Sequence, residues 1–254
     1  MRLHVHEWGE PGAPGVVCLH GVTGHGRRFR KLAEERLSGH HVLAPDLRGH
    51  GRSGWEEPWT LAAHVADLAE TFTEPAVWIG HSFGARLILE LIAHRPDLAR
   101  GVVLLDPAIY VPPEFAEQHA AQERQEKAYG SAAEAIAGWT GLFHTPREIL
   151  EEEMREHLIA DDDERVRYRY SQPGAAQMHL KLSRRRPPVE HLTVPTLLVV
   201  GAESKLVSAA EDERYRAALA DRLEVVVTPG GHSPLWDAFP ETADAVERFL
   251  ETSR

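Results

Sequence analysis

The residues best suited to chemistry are a serine, a histidine and two glycine-rich turns spread far apart along the chain. Ser82 lies in Gly80-His81-Ser82-Phe83-Gly84, directly after the apolar run Val77-Trp78-Ile79 and before a segment carrying Leu87, Leu89, Leu91 and Ile92. A G-x-S-x-G at a strand-to-helix turn puts its serine on a tight elbow, because the glycines let neighbouring backbone approach without a Cβ clash. Ser82 Oγ would then stand at a helix N-terminus, with the Phe83 amide pointing toward any oxyanion that forms. A second donor must complete such an oxyanion hole, and the candidate is the Val22 amide in His20-Gly21-Val22, at the end of the run Val16 to Leu19. The general base must come from a distant part of the chain. His232 in Gly230-Gly231-His232-Ser233, on a loop after the run Leu223 to Val227, meets that need, whereas most of the sixteen histidines must be structural or surface residues. His4 and His6 alternate on one strand face, but no H-x-H-x-D-H or H-E-x-x-H pattern accompanies them, so no metal is expected.

The elements that must position these groups follow from the apolar pattern. Short β-branched runs at Leu3 to Trp8, Val16 to Leu19, Val42 to Leu47, Ala76 to Ile79, Val102 to Leu105, Thr196 to Val200 and Leu223 to Val227 read as strands, the first an antiparallel edge. Helix-period segments lie between them at Thr60 to Thr73, Phe83 to His94, Ala209 to Leu219 and Glu241 to Glu251, the last following Pro240. This alternation predicts an α/β fold with a mostly parallel central sheet flanked by helices. From Pro107 to His191 no convincing strand appears, and Glu114 to Tyr129, Ala132 to Leu142 and Pro146 to Ile159 look like short amphipathic helices. A structureless loop of that length would be improbable in a compact domain. The expected organisation is therefore a core of residues 1–106 and 192–254 with a helical cap inserted at 107–191.

Composition sets the boundaries. A chain of 254 residues with 43% hydrophobic content can bury a full core, about three quarters of its unfolded surface. The net charge of −11 repels nucleic acid phosphates and anionic membrane surfaces, so neither is an expected partner. Cys18 stands alone, which precludes an intramolecular disulfide and suits a reducing compartment. With no apolar h-region and no run of eighteen apolar residues, a cytoplasmic location is expected. No signal for an oligomeric state is legible.

Taken together these residues resemble the α/β-hydrolase superfamily over almost the whole chain. Beyond His20-Gly21, Gly80 to Gly84 and His232, the segment Asp46-Leu47-Arg48-Gly49-His50-Gly51-Arg52-Ser53 looks like a loop found in many members. The resemblance implies a Ser-Asp/Glu-His chain order, a helical cap, and hydrolysis of acyl or related substrates without a cofactor. One departure matters. In most relatives the triad acid follows the strand that here ends Gly201-Ala202-Glu203-Ser204-Lys205, and Ser204 stands where an aspartate is usual. A serine cannot stabilise an imidazolium by charge. Asp106 in Leu104-Leu105-Asp106-Pro107, 106 − 82 = 24 residues after Ser82, is favoured over Glu203. An acid at that strand end resembles the arrangement in some haloalkane dehalogenases and resorcylic lactone hydrolases.

The expected function is a serine carboxylester hydrolase or lactonase, with Ser82 as nucleophile, His232 as proton shuttle and Asp106 as orienting acid. Its expected partner is a small-molecule ester or lactone of apolar or aromatic character. Ile109, Trp139, Phe143 and Met178 could line its pocket, or could equally be cap core. Two alternatives stay open: a carbon-carbon bond hydrolase acting on ring-cleavage products, and a non-catalytic small-molecule receptor on the same fold.

Overall fold

The computed structural model describes residues 1–125, 127–139, 147–160 and 165–252, and for residues 138, 139, 150, 153, 154 and 156 the backbone alone. The first half of the core runs β1 (Val5–Trp8), β2 (Gly15–Leu19), α1 (Arg30–Arg36), β3 (His41–Pro45), α2 (Leu61–Thr71), β4 (Ala76–His81), α3 (Phe83–His94) and β5 (Ala99–Leu105). There follows α4 (Pro113–Glu123), β6 (Ala128–Tyr129), α5 (Ala132–Trp139), α6 (Arg147–His157), β7 (Leu158–Ala160), β8 (Val166–Tyr168) and α7 (Gln172–Leu182). The chain then returns through β9 (Thr196–Gly201), α8 (Ala209–Leu219), β10 (Leu223–Thr228), α9 (Pro234–Asp237) and α10 (Phe239–Thr252).

Seven strands form one sheet in the order β1-β3-β2-β4-β5-β9-β10, all parallel except β1, which pairs antiparallel with β3 at the edge. All seven sequence-predicted strands are present. From β2 the chain steps outward to β3, then crosses back to lay β4 on the other side of β2. At such a reversal the helices diverge to opposite faces and leave a crevice at the carboxyl ends of the strands.

Each face of the sheet has its own apolar layer. On one face α3 is buried at every residue from Phe83 to Ile92 and packs with Leu68 of α2 and with Tyr215 and Leu219 of α8. On the other, Leu32 of α1 meets Val246, Phe249 and Leu250 of α10. The spacing of three and four residues between Ala243, Val246, Phe249 and Leu250 explains why α10 presents one apolar stripe. Side-chain caps help set helix starts: Thr60 accepts from the Ala63 amide, Ser171 from Gly174 and Ser208 from Glu211.

The segment from 107 to 191 departs from expectation in its strands and in one of its helices. Among its described residues are three short strands as well as helices, an antiparallel sheet in the order β6-β8-β7 with Leu158 opposite Tyr168 and Ala160 opposite Val166. Strands of two or three residues are too short for a period-two signal, which is why the residue pattern hid them. The helix α7 was also not anticipated, and α10 starts at Phe239 rather than after Pro240, since proline is tolerated in a first turn whose amides lack partners. Among the described residues no helix is long and apolar enough to cross a membrane.

Candidate active site

Because β4, β5, β9 and β10 are consecutive neighbours and parallel, their carboxyl ends present a row of loops on one edge of the sheet. Ser82 follows β4, Asp106 follows β5, Ser204 lies just past β9 and His232 just past β10. Groups up to 150 residues apart in sequence thus become adjacent.

The elbow at Ser82 is held by main chain. Ser82 has φ 55° and ψ −115°, and Asp106 has φ 41°, conformations that cost a non-glycine residue roughly 1 to 3 kcal/mol each. They persist because neighbours overdetermine them. The Ser82 amide donates to Leu105 O at 3.0 Å, and Ser82 O accepts from Arg86 N at 3.3 Å and Ala108 N at 3.2 Å. The Asp106 amide donates to Val199 O at 2.7 Å. The flanking glycines are required by space: a Cβ on Gly84 would lie 2.2 Å from Leu19 O, and one on Gly80 would lie 2.6 Å from Ala85 N.

Three of the residues singled out in the sequence meet here in a continuous hydrogen-bonded line. His232 Nε2 is 2.9 Å from Ser82 Oγ, and His232 Nδ1 is 2.6 Å from Asp106 Oδ2. Asp106 is fully buried, whereas Glu203 is exposed at the surface. The carboxylate beside the imidazole is therefore that of Asp106. Its other contacts come from β9 and beyond: Ser204 Oγ donates to Oδ2 at 2.6 Å, and the Gly201 amide donates to Oδ1 at 3.3 Å. Ser204 thus donates to the carboxylate that stands at the end of β5. Ser204 was visible in the sequence only as a missing charge.

His81, inside the elbow motif, is a second residue whose part the sequence did not reveal. Its Nε2 donates to the His232 carbonyl at 2.7 Å and so ties the loop after β10 to the turn after β4. Burial, and then the neighbouring His232, push the His81 pKa down to about 3, so the ring is a neutral donor near pH 7.

Val22 lies in the loop after β2 and Phe83 opens α3 after the neighbouring strand β4, and both residues are buried. Buried histidines shape the β2 side. His20 Nε2 accepts from the Leu47 amide at 3.0 Å, so Nδ1 carries the proton and donates to Gly21 O at 2.8 Å. Burial keeps this ring neutral, its pKa well below the usual histidine value. His50 Nε2 lies against Val22 O and Nδ1 lies 3.0 Å from Arg48 O.

His4, His6 and Asp46 bring donor atoms within 4.8 Å of one another, which is the geometry of a candidate cation cluster. Asp46 is already engaged: it accepts from the Gly26 and Arg52 amides, each at 2.9 Å, and from His6 at 3.1 Å. Burial alone would raise the Asp46 pKa, but the His6 bond and these amides outweigh it and hold the carboxyl well below the usual range. Asp46 clips the loop after β3 to the loop after β2.

Ile109 and Met178 are each 1% exposed and belong to the apolar layer around α3. Phe143 and the side chain of Trp139 lie outside the described residues.

Comparison with known proteins places this arrangement in context. The sequence profile described as "Alpha/beta hydrolase family" matches residues 16–245. The lipase LipV of Mycobacterium tuberculosis is 36% identical over 235 residues, which cover 88% of this chain and 86% of that protein. The pimeloyl-[acyl-carrier protein] methyl ester esterase of Xanthomonas axonopodis pv. citri is 30% identical over 256 residues, covering 93% and 95%. The crystal structure of E-2-(acetamidomethylene)succinate hydrolase superposes with a TM-score of 0.88 at 28% identity, covering 98% of this chain and 95% of the other.

Proposed function

The chain belongs to the alpha/beta hydrolase family, and from that premise we propose that it is a serine hydrolase of carboxylic esters, open-chain or lactone, working through an acyl-enzyme. The observation that carries this reading is the line from Ser82 Oγ through His232 to the buried Asp106. The similarity to a lipase and to a methyl ester esterase supports the choice of ester as the bond cleaved.

In this mechanism Ser82 Oγ attacks the ester carbonyl carbon while His232 Nε2 takes its proton. The carbonyl oxygen becomes an oxyanion held by the Val22 and Phe83 amides, each such donor contributing about 3 to 4 kcal/mol to transition-state stabilisation. Collapse breaks the bond to the alcohol oxygen, which receives the proton from His232. Water then attacks the acyl carbon, giving a proton to His232, and the acyl bond to Oγ breaks as Oγ recovers that proton. Asp106 accepts the Nδ1 hydrogen throughout, fixes the tautomer and stabilises the imidazolium without itself becoming protonated. In a lactone the released alcohol remains tethered, and the same steps apply. No step calls for a cofactor.

Residues 107–191 act in this reading as a cap that selects the substrate, since they leave the core directly after Asp106, at the edge of the sheet where the site lies. The single thiol, Cys18, is buried with its pKa raised by desolvation, in keeping with a cytoplasmic protein that relies on no disulfide.

The test is labelling with a fluorophosphonate, read by intact mass, beside turnover of a panel of esters and lactones. The expected result is one adduct per chain in the wild type and none in Ser82→Ala. Full ester turnover by a folded Ser82→Ala protein would overturn the mechanism.

A further inference from the structure

Although the chain is strongly acidic, the loop and helix that follow β2 read Arg27-Arg28-Phe29-Arg30-Lys31, four cations in five positions. Arg27, Arg28, Arg30 and Lys31 line one cleft, together with Trp236 and Phe239. Glu152 is the one carboxylate among the described residues that line it. A second cleft shares Arg28, Leu235 and Trp236 with the first and reaches His20, His81 and Ser233. Those three residues are bonded in the chain to Gly21, Ser82 and His232. Sharing a wall of Arg28, Leu235 and Trp236, the two clefts are taken together as one furrow whose inner end is lined by the chain neighbours of Ser82 and His232 and not by those two residues themselves.

The cations are held in set positions. The Arg28 guanidinium lies over the Trp236 ring at 4.6 Å and donates to Thr23 O at 3.3 Å, and the Lys31 ammonium lies over Phe239 at 4.3 Å. A Cβ on Gly24 would meet both His20 and the Arg28 guanidinium within about 3.0 Å, which places that charge against the oxyanion loop. Arg30 is paired with Glu34 and Glu152 at the rim. A cleft of one sign set into a surface of the other focuses the potential on its own mouth, so an anion approaching this molecule is repelled elsewhere and drawn here.

Resting on the ester-hydrolase reading, we propose that this furrow is an anion-binding subsite of the same centre, taking a carboxylate or phosphate group at the remote end of the substrate. Arg28 and Lys31 bind that group, while Trp236, Leu235 and Phe239 cover the methylene chain between it and the ester. The preferred substrates are then monoesters of dicarboxylic acids, or esters whose far end is phosphorylated, rather than wholly neutral esters.

Three p-nitrophenyl esters of one chain length test this: the hexanoate, the monoester of adipic acid, and the 6-phosphonooxyhexanoate. The wild type is expected to show kcat/KM about tenfold or more in favour of an anionic ester at low salt, with the advantage decaying toward 0.5 M NaCl as screening sets in, roughly. The two anionic arms identify whether carboxylate or phosphate is the better ligand. Arg28→Gln and Lys31→Gln should each lower the ratio of anionic to neutral kcat/KM about threefold to fivefold, the effect of one partly exposed charge. An unchanged ratio in both variants, or a wild type that favours the neutral ester at every salt concentration, would overturn the proposal. Calorimetric binding of the intact esters to Ser82→Ala gives the same comparison without turnover. Loss of activity in Ser82→Ala with no anion preference therefore refutes the subsite alone, while retained activity refutes the hydrolase mechanism and leaves the binding comparison to decide the subsite.

Discussion

The row of strand ends and the inserted segment differ in how they hold their polar groups. At the carboxyl ends of β4, β5 and β9 the partners are largely main chain: Leu105, Arg86 and Ala108 hold Ser82, and Val199 and Gly201 hold Asp106. In the insertion a cluster of side chains joins such main-chain contacts as Tyr168 Oη to Ala135 O. Tyr170 Oη donates to Glu123 at 2.9 Å, Glu123 pairs with Lys127 at 2.7 Å, and the rings of His157 and Tyr168 flank Tyr170 at 5.7 and 6.0 Å. Main-chain contacts survive most substitutions because every residue supplies them, whereas a side-chain network changes with each replacement. Under the function proposed here, the sheet holds the reaction constant while the insertion is free to vary in what it admits.

The largest effect should come from the row. Ser82→Ala and His232→Ala are each expected to lower kcat on the order of 10⁶-fold, leaving the residue of catalysis that binding and the oxyanion donors provide. Steady-state ester hydrolysis by the folded variants measures this, and a small loss in either would break the comparison at its centre.

The next effect sharpens which members of the row matter. Asp106→Asn should lower kcat by roughly 10⁴-fold, because the amide presents the wrong hydrogen-bonding partner to His232 Nδ1. Ser204→Ala should cost about tenfold in kcat with little change in KM, the loss of one hydrogen bond to a charged group. Glu203→Gln should be nearly silent. A reversed ranking of Asp106 and Glu203 on the same substrate would move the acid role to the loop after β9.

Met178 probes the other region. At 1% exposure within the apolar layer, Met178→Ala should lower unfolding free energy by about 2 to 4 kcal/mol, seen as a reduced denaturation midpoint, without reordering a substrate panel. Reordered kcat/KM values at unchanged stability would instead make it part of the substrate pocket.

A smaller, pH-dependent effect belongs to Asp46, which the amides of Gly26 and Arg52 and the ring of His6 hold ionised. Its folded pKa is depressed, so its contribution is present above the unfolded carboxylate value of about 4 and is lost as pH falls toward the folded one. Asp46→Asn should therefore lose about 2 kcal/mol at pH 7 and progressively less below pH 4, as denaturant titrations at several pH values would read. A deficit that persists undiminished at pH 2 to 3 would assign it to lost packing rather than to charge.

Much of the molecule was determined by local sequence. The apolar runs set all seven strands of the large sheet, and Gly80 and Gly84 set the elbow, because strand period, helix period and Cβ clearance are properties of a few adjacent residues. Ser82 and His232 were legible for the same reason, each lying in a turn directly after a strand. What tertiary structure alone decided is which distant groups face them. Asp106 meets His232 across 126 residues, Ser204 meets Asp106 across 98, and His81 meets the His232 carbonyl across 151. Those contacts exist because β9 pairs with β5 and β10 with β9, an order set by packing helices on both faces of the sheet rather than by any periodicity along the chain. A missing aspartate at position 204 could be seen in the sequence, but its replacement as a donor to a carboxylate from the neighbouring strand could not, because hydrogen bonds depend on positions in space.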